Sequence, residues 1–185
     1  MKEIDAAFDD QFGGADVDDV LELLAVIPHI EGVDASRVGM LGSSRGGMQT
    51  LLALKAGANV KAAAILGAPT DLLAWLSDRP DMEEVFTKRI SGYAGGKEKT
   101  LKQRSGVEWV DELDSNVPIL VMHGQNDARV NANQSLAFAS VLQQHNHPYK
   151  LVIYPGDDHG LNGHREEVND ELVKWFNRFL KEKQQ

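Results

Sequence analysis

A serine flanked by glycines lies between an apolar run and a helical segment in the stretch RVGMLGSSRGGMQTLLAL. Ser44 is the centre of a Gly-x-Ser-x-Gly pattern that Gly42 and Gly46 complete, whereas Ser43 has leucine and arginine at the two glycine positions. Such glycines permit the crowded strand-to-helix turn that lifts a serine hydroxyl above the end of a strand. The pattern therefore predicts that Ser44 is a nucleophile.

The backbone N–H of Arg45 is the expected partner of a developing oxyanion. Arg45 follows Ser44 at the start of a predicted helix. The helix N-terminus favours negative charge, and a backbone N–H fixed there stabilises the oxygen of a tetrahedral intermediate. Acyl transfer is the chemistry that such a pair supports.

Two later segments offer the acid and the base that a serine nucleophile needs. Asp127 lies in HGQNDARV, after the third apolar strand, and His159 lies in PGDDHGL, after the fourth. The order serine, acid, histidine accompanies nucleophiles of this Gly-x-Ser-x-Gly type. All three residues follow the carboxyl ends of predicted strands, where open parallel sheets hold their sites. The sequence therefore predicts a triad of Ser44, Asp127 and His159.

Each triad residue also has a structural alternative. Ser44 could be a small residue in a turn, and Asp127 could cap the helix that starts near Asn131. His159 could be an ordinary loop histidine. The two aspartates before His159 could be rival acids, but adjacent positions rarely let a side chain reach back to the imidazole, so turn roles are expected for them.

The remaining histidines carry weaker patterns. His123 closes a buried strand, which is typical of a structural hydrogen-bonding residue. His145 and His147 flank a helix end, where cations suit the helix dipole. His164 together with Asp157 has some likeness to a metal site, but one pair is too little, and no metal is predicted.

Short apolar strands alternate with helices along the chain, which predicts an α/β fold of three layers, α/β/α, around a mainly parallel sheet. A helical insertion over residues 71–113 is expected to act as a lid. Trp75 and Trp109 in it are candidates for an apolar substrate wall. Strands are expected at 37–42, 60–68, 118–124 and 149–155, and helices at 16–27, 46–56, 131–144 and 169–181.

Composition narrows the possible functions. The 185 residues suit one domain over residues 1–185, with a formal net charge of −9 and no basic run, which argues against binding nucleic acid or anionic membranes. The absence of cysteine excludes disulfides and thiolate metal sites. No apolar run reaches membrane-spanning length, and the acidic start MKEIDAAFDDQFGG lacks the core of a signal peptide. A cytoplasmic protein is expected.

The chain resembles the C-terminal part of α/β-hydrolases of the prolyl-oligopeptidase or dienelactone-hydrolase-like kind. The resemblance rests on GADVDDV, DASRVGMLGSSRGG, PILVMHGQNDARV with NQS after it, and YPGDDHG. It implies that Ser44 is the nucleophile, Asp127 the acid and His159 the base, with no metal or organic cofactor. Arg45 stands where the family often has an aromatic residue, and Asn131 where proline is common.

The expected function is hydrolysis through an acyl-enzyme. Small carboxylic esters are favoured as substrates, because no gating domain of the oligopeptidase type is evident and only one oxyanion donor is identified. A peptidase acting on short peptides is the first alternative. The second is a non-catalytic module that keeps the triad residues and binds a partner through an open sheet edge.

The resemblance also implies strands before the segment that begins here, and nothing in residues 1–15 reads as a strand. The loop that donates a second oxyanion N–H is therefore expected to be missing, and such a loss typically costs about 10²- to 10³-fold in rate. The strand between Arg37 and Gly42 would then be an exposed apolar edge, which is a liability. We expect two chains to pair there as a symmetric homodimer.

Overall fold

The structure is a computed structural model that describes residues 10–181. Within this range, four parallel strands form one sheet in the order β1-β2-β3-β4. Each strand is connected to the next by at least one helix, as parallel neighbours require. The strands are β1 (Gly39–Ser43), β2 (Ala62–Leu66), β3 (Ile119–Gly124) and β4 (Tyr149–Tyr154).

Seven α-helices and three short 3-10 turns accompany the sheet in the described part of the chain. The 3-10 turns cover Ile27–His29, Gly106–Glu108 and Val110–Glu112. The α-helices are α1 (Asp16–Val26), α2 (Arg45–Lys55), α3 (Leu72–Asp78), α4 (Met82–Arg89), α5 (Tyr93–Lys102), α6 (Asn133–Gln144) and α7 (Arg165–Leu180).

Alternate residues of the central strands enter two separate apolar clusters. In β2, Ala63 and Ile65 join a cluster that includes residues of α1, α2 and α6, while Ala62 and Ala64 join one that includes Trp175 of α7. This period of two arises because successive strand side chains point to opposite faces. The sheet is therefore covered on both sides, which confirms the predicted α/β/α architecture with a parallel sheet.

The insertion between β2 and β3 is helical, as predicted, and consists of α3, α4, α5 and two 3-10 turns. Phe86 and Tyr93 are buried in it at ring centroids 6.0 Å apart, and Phe86 also packs edge-on against Phe12 at 5.2 Å. Its aromatic side chains therefore anchor the insertion to the body of the domain.

Several predicted boundaries differ from the structure. The predicted helix over 16–27 ends at Val26, because a tighter 3-10 turn follows at Ile27–His29, where Pro28 has no N–H to continue the α-helix. The last helix begins at Arg165, four residues before the predicted start at residue 169. The apolar stripe that predicts this helix begins only after its polar first turn. Two acidic residues in that first turn interact favourably with the helix dipole. Residues 10–15 contain no strand, while residues 1–9 lie outside the described range.

One edge of the sheet is β1, whose only described neighbour is β2. Leu41 in β1 is 52% exposed, although it belongs to an apolar run. Within residues 10–181, no helix is both long and apolar enough to cross a membrane.

Candidate active site

Ser44 lies at the turn between β1 and α2 in a backbone conformation that L-residues rarely adopt, with φ 54° and ψ −126°. A Cβ on Gly42 would lie 2.2 Å from the carbonyl oxygen of Gly46, so only glycine fits there. Only one of the two glycines in the Gly-x-Ser-x-Gly pattern is crowded. Gly46 itself has open space around its Cβ position, and the second tight approach is at Gly47, 2.6 Å from the Cβ of Ala68.

Arg45 is the first residue of α2, so its N–H has no acceptor within the helix. Its guanidinium contacts Asp10 and lies over the ring of Phe12, 5.6 Å from the centroid. Arg89 at the end of α4 donates to the same carboxylate oxygen of Asp10 at 2.6 Å. These contacts turn the Arg45 side chain towards the N-terminal segment and the insertion.

His159 and Asp127 are in direct contact, with Nδ1 of the imidazole 2.6 Å from Oδ2 of the carboxylate. The other oxygen of Asp127 accepts the N–H groups of Arg129 at 2.8 Å and Val130 at 2.9 Å. Burial alone would raise the pKa of Asp127, but hydrogen bonds from His123, His159 and the backbone outweigh it and hold the pKa well below the usual range.

The low pKa of Asp127 decides where the proton of the His159 ring lies. An ionised carboxylate only accepts hydrogen bonds, so Nδ1 of His159 carries the hydrogen that points at Asp127. In the neutral imidazole the other nitrogen, Nε2, is then unprotonated. A base with this tautomer can accept a proton from a serine hydroxyl.

Gly67 links Ser44 to this pair. The N–H of Ser44 donates to the carbonyl of Leu66 at 2.7 Å, and Gly67 follows with φ 53°. A Cβ on Gly67 would lie 3.3 Å from Nδ1 of His159 and 3.4 Å from Oδ2 of Asp127. Ser44 and the pair therefore approach two consecutive residues, Leu66 and Gly67, at the end of β2. No hydrogen bond joins the Oγ of Ser44 to His159 among the described residues.

The structural alternatives for the acid have other partners. Asp157 accepts from Nδ1 of His164 at 2.9 Å, whereas the described carboxylate partner of His159 is Asp127. The helix after Asp127 begins only at Asn133, whose N–H is accepted by the side chain of Asn131 at 2.9 Å. Asp127 therefore does not cap that helix.

The two tryptophans lie in different places. Trp75 in α3 is buried, and its Nε1–H donates to the carbonyl of Arg129 at 2.8 Å, two residues after Asp127. Trp109 is also buried, but it packs under Lys55 at the far end of α2, with Nζ 4.6 Å from the ring centroid. Since eleven helical residues span about 16 Å, the structure brings Trp75 towards the site and leaves Trp109 away from it.

Sequence patterns did not single out two contributors to this geometry. Gly67 could have been noticed as a glycine directly after the apolar strand β2, but only the fold shows that His159 packs against it. Ser135 contacts the buried His123 from α6 at 2.7 Å. The sequence shows it as the serine of the NQS motif, but nothing local indicates that it contacts His123.

A serine at a sharp strand-to-helix turn, with a carboxylate–imidazole pair after later parallel strands, defines an α/β-hydrolase domain. A sequence profile of the prolyl oligopeptidase family matches residues 3–183. The chain therefore belongs to the prolyl oligopeptidase family, and the resemblance seen in its motifs is confirmed.

Named relatives are considerably longer than this chain. Dipeptidyl peptidase family member 6 of Caenorhabditis elegans is 29% identical over 135 residues, which are 68% of this chain and 18% of that protein. Human dipeptidyl peptidase 8 is 28% identical over 161 residues, 86% of this chain and 17% of that protein. The chain thus spans less than a fifth of the length of these two relatives.

A solved structure supports the fold over nearly the whole chain. The puromycin-hydrolyzing peptidase of Mycobacterium tuberculosis superimposes with a TM-score of 0.83 at 26% identity. The match covers 92% of this chain and 26% of that one.

Proposed function

We propose that this domain is a serine hydrolase of the peptidase type, with Ser44 as nucleophile, His159 as base and Asp127 as the acid that orients it. The observation that carries the proposal is the 2.6 Å contact between His159 Nδ1 and Asp127 Oδ2. Ser44, held at φ 54° on the turn from β1 to α2, provides the nucleophile. Membership of a family whose named relatives are peptidases supports the same chemistry.

The proposed reaction proceeds through an acyl-enzyme. Nε2 of His159 takes the proton of the Ser44 hydroxyl while Oγ attacks the acyl carbonyl, and the Arg45 N–H donates to the oxyanion. Collapse of the tetrahedral intermediate breaks the bond to the leaving group, which takes the proton from His159. A water molecule then attacks the acyl-enzyme with the same base, which releases the acid and restores Ser44.

Short peptides and their amides are the proposed substrate class, because the relatives are named as peptidases. Small esters are the second candidate, since Arg45 supplies the one oxyanion donor identified in the described residues. With fewer N–H donors to the oxyanion, the reaction rate falls most for substrates with a poor leaving group, such as amides. Matched amide and ester pairs with the same acyl group would decide between the two, since cleavage confined to the esters would contradict a peptidase.

Reaction with a fluorophosphonate, followed by intact mass, tests the triad directly. One label per chain is expected for the wild type, none for Ser44→Ala, and a severe loss for His159→Ala. Ser43→Ala is the matched control, because Ser43 neighbours Ser44 but lies on β1, and it should label normally. A folded wild type that remains unlabelled would contradict catalysis and favour a non-catalytic binding module.

We also propose that β1 pairs with β1 of a second copy. Leu41 is 52% exposed on this edge, and an edge strand offers unpaired backbone groups. A strand related to itself by a two-fold axis runs antiparallel to its copy, so the contact is self-complementary and joins two four-stranded sheets.

Light scattering at micromolar concentration tests this pairing. The wild type should be dimeric, and Leu41→Lys should be monomeric because it places a charge on the edge. Leu23→Lys is the control, since Leu23 is 69% exposed on α1 and should leave the dimer intact. A monomeric wild type would contradict the proposal.

A further inference from the structure

A second imidazole contacts the acid of the proposed triad. His123 is the fifth residue of β3 and is fully buried, and its Nε2 lies 3.1 Å from Oδ2 of Asp127. This is the same carboxylate oxygen that contacts Nδ1 of His159. The reaction proposed above gives His123 no role, although a buried polar side chain costs free energy unless its hydrogen bonds are made.

The partners of His123 fix its tautomer. Nε2 faces Oδ2 of Asp127 and, at 2.8 Å, the carbonyl oxygen of Val130. Both are acceptors, so Nε2 carries a hydrogen and shares it between them. In the neutral ring Nδ1 then accepts, and its partner at 2.7 Å is the hydroxyl of Ser135.

These bonds form a continuous chain. The Ser135 hydroxyl donates to His123, His123 donates to Asp127, and Asp127 accepts from His159. Ser135 is buried in the first turn of α6, and His123 lies in the central strand β3. A strand, β3, and a helix, α6, therefore supply the residues that hold the carboxylate of Asp127, which itself lies on a loop.

We infer that His123, held by Ser135, is a positioning residue for Asp127, and this inference rests on the proposed function. Without His123, Oδ2 would have His159 as its remaining side-chain partner, and the two backbone donors would hold only Oδ1. The carboxylate could then rotate about that anchor. With His123 in place, Oδ2 stays where the Nδ1–H of His159 points. Residues that orient metal-binding side chains typically change affinity or activity by about 10- to 100-fold when removed, and we expect an effect of similar size for a residue that orients this carboxylate.

Variants at His123 separate positioning from simple packing. His123→Leu keeps the volume but removes the donor, whereas His123→Gln offers an amide N–H at a similar reach. His147 provides the matched control, because it is also buried and its side chain makes one backbone bond, from Nε2 to the carbonyl of Val117 at 3.1 Å. His147→Leu should therefore cost stability without affecting Asp127.

The readout is the proton NMR signal of the His159 Nδ1–H, assigned by its absence in His159→Ala. A hydrogen bond to a carboxylate moves this signal to low field and protects it from exchange. We expect it to be present in the wild type, His123→Gln and His147→Leu, and to shift or broaden away in His123→Leu. An unchanged signal in His123→Leu would overturn the inference, whether or not Ser44 reacts.

Labelling rates with a fluorophosphonate give the second readout on the same proteins. His123→Leu should react about 10-fold more slowly than the wild type, with most of the rate recovered in His123→Gln. Failure of the wild type to label would count against the proposed function alone, since the NMR comparison stands without it. If His123→Leu does not fold, Ser135→Ala serves instead, and an unchanged signal and rate in that variant would overturn the inference.

Discussion

Nδ1 of His159 lies 2.6 Å from Oδ2 of Asp127, although the two residues belong to loops after different strands. The loops meet because β3 and β4 are parallel neighbours, so their carboxyl ends lie at the same edge of the sheet. The position of the proposed base therefore follows from sheet topology, and the contact itself from the turn that holds Asp127.

Replacing Asp127 with asparagine should reduce the rate of fluorophosphonate labelling by about 10⁴-fold, because an amide can hold the imidazole in the wrong tautomer. Asp158→Asn is the control, since Asp158 neighbours His159 but is exposed, and its carboxylate accepts a local bond from the N–H of Gly160 at 2.8 Å. It should label within about twofold of the wild type. Equal rates for the two variants would exclude Asp127 as the acid.

The pH dependence of stability should carry the signature of Asp127. Its pKa is lower in the folded state than in the unfolded chain, so its contribution to the free energy of unfolding is complete above the unfolded pKa. That contribution is lost as the pH falls towards the folded pKa. In urea titrations from about pH 7 to about pH 3, the wild type should lose stability more steeply than Asp127→Asn. Parallel curves would contradict the assignment.

Gly67→Ala should impair reactivity more than stability alone would explain. Alanine at φ 53° costs about 1 kcal/mol in backbone strain, and its Cβ would lie 3.3 Å from His159 Nδ1. Gly57→Ala is the matched control, because φ is 86° and its Cβ would meet nothing within 4 Å. Both variants should lose similar thermal stability, but only Gly67→Ala should label about 10-fold more slowly or worse. Equal labelling would show that the close approach is harmless.

The contacts of Asp10 should contribute modestly and in a salt-dependent way. Asp10 joins Arg45 to Arg89, and these contacts outweigh burial and lower its pKa. Asp10→Asn should reduce the free energy of unfolding by less than about 1 kcal/mol at low salt. The difference should shrink in 1 M salt, where the Debye length is about 3 Å. A salt-independent loss in chemical denaturation would indicate packing instead.

Much of the architecture was predictable because strands and helices here have clean apolar patterns. The runs in β2 and β3 are buried on both faces, so they contain few polar residues and are easy to recognise. The apolar pattern places the start of α7 too late, because the first turn of this helix is polar. An apolar pattern marks buried positions, so it cannot mark a turn whose side chains are exposed.

Residues of the candidate site that belong to a local sequence motif can be proposed from the sequence. Contacts between residues far apart in the chain cannot. Ser44 between glycines and His159 after a strand are local signals. The bond from Trp75 to the carbonyl of Arg129 joins positions 54 residues apart, and no local spacing encodes it. The same holds for the approach of Gly67 to His159, which depends on how two loops pack.

The bond between Trp75 and the carbonyl of Arg129 has a consequence for protein engineering. This bond joins the insertion to the turn that holds Asp127, since the indole N–H of Trp75 in α3 donates to the backbone carbonyl two residues after Asp127. An exchange of residues 71–113 for the corresponding segment of a relative would therefore also remove a contact to the turn that holds Asp127. We expect a chimaera to need an indole at position 75, or another donor there, to keep the turn of Asp127 in place.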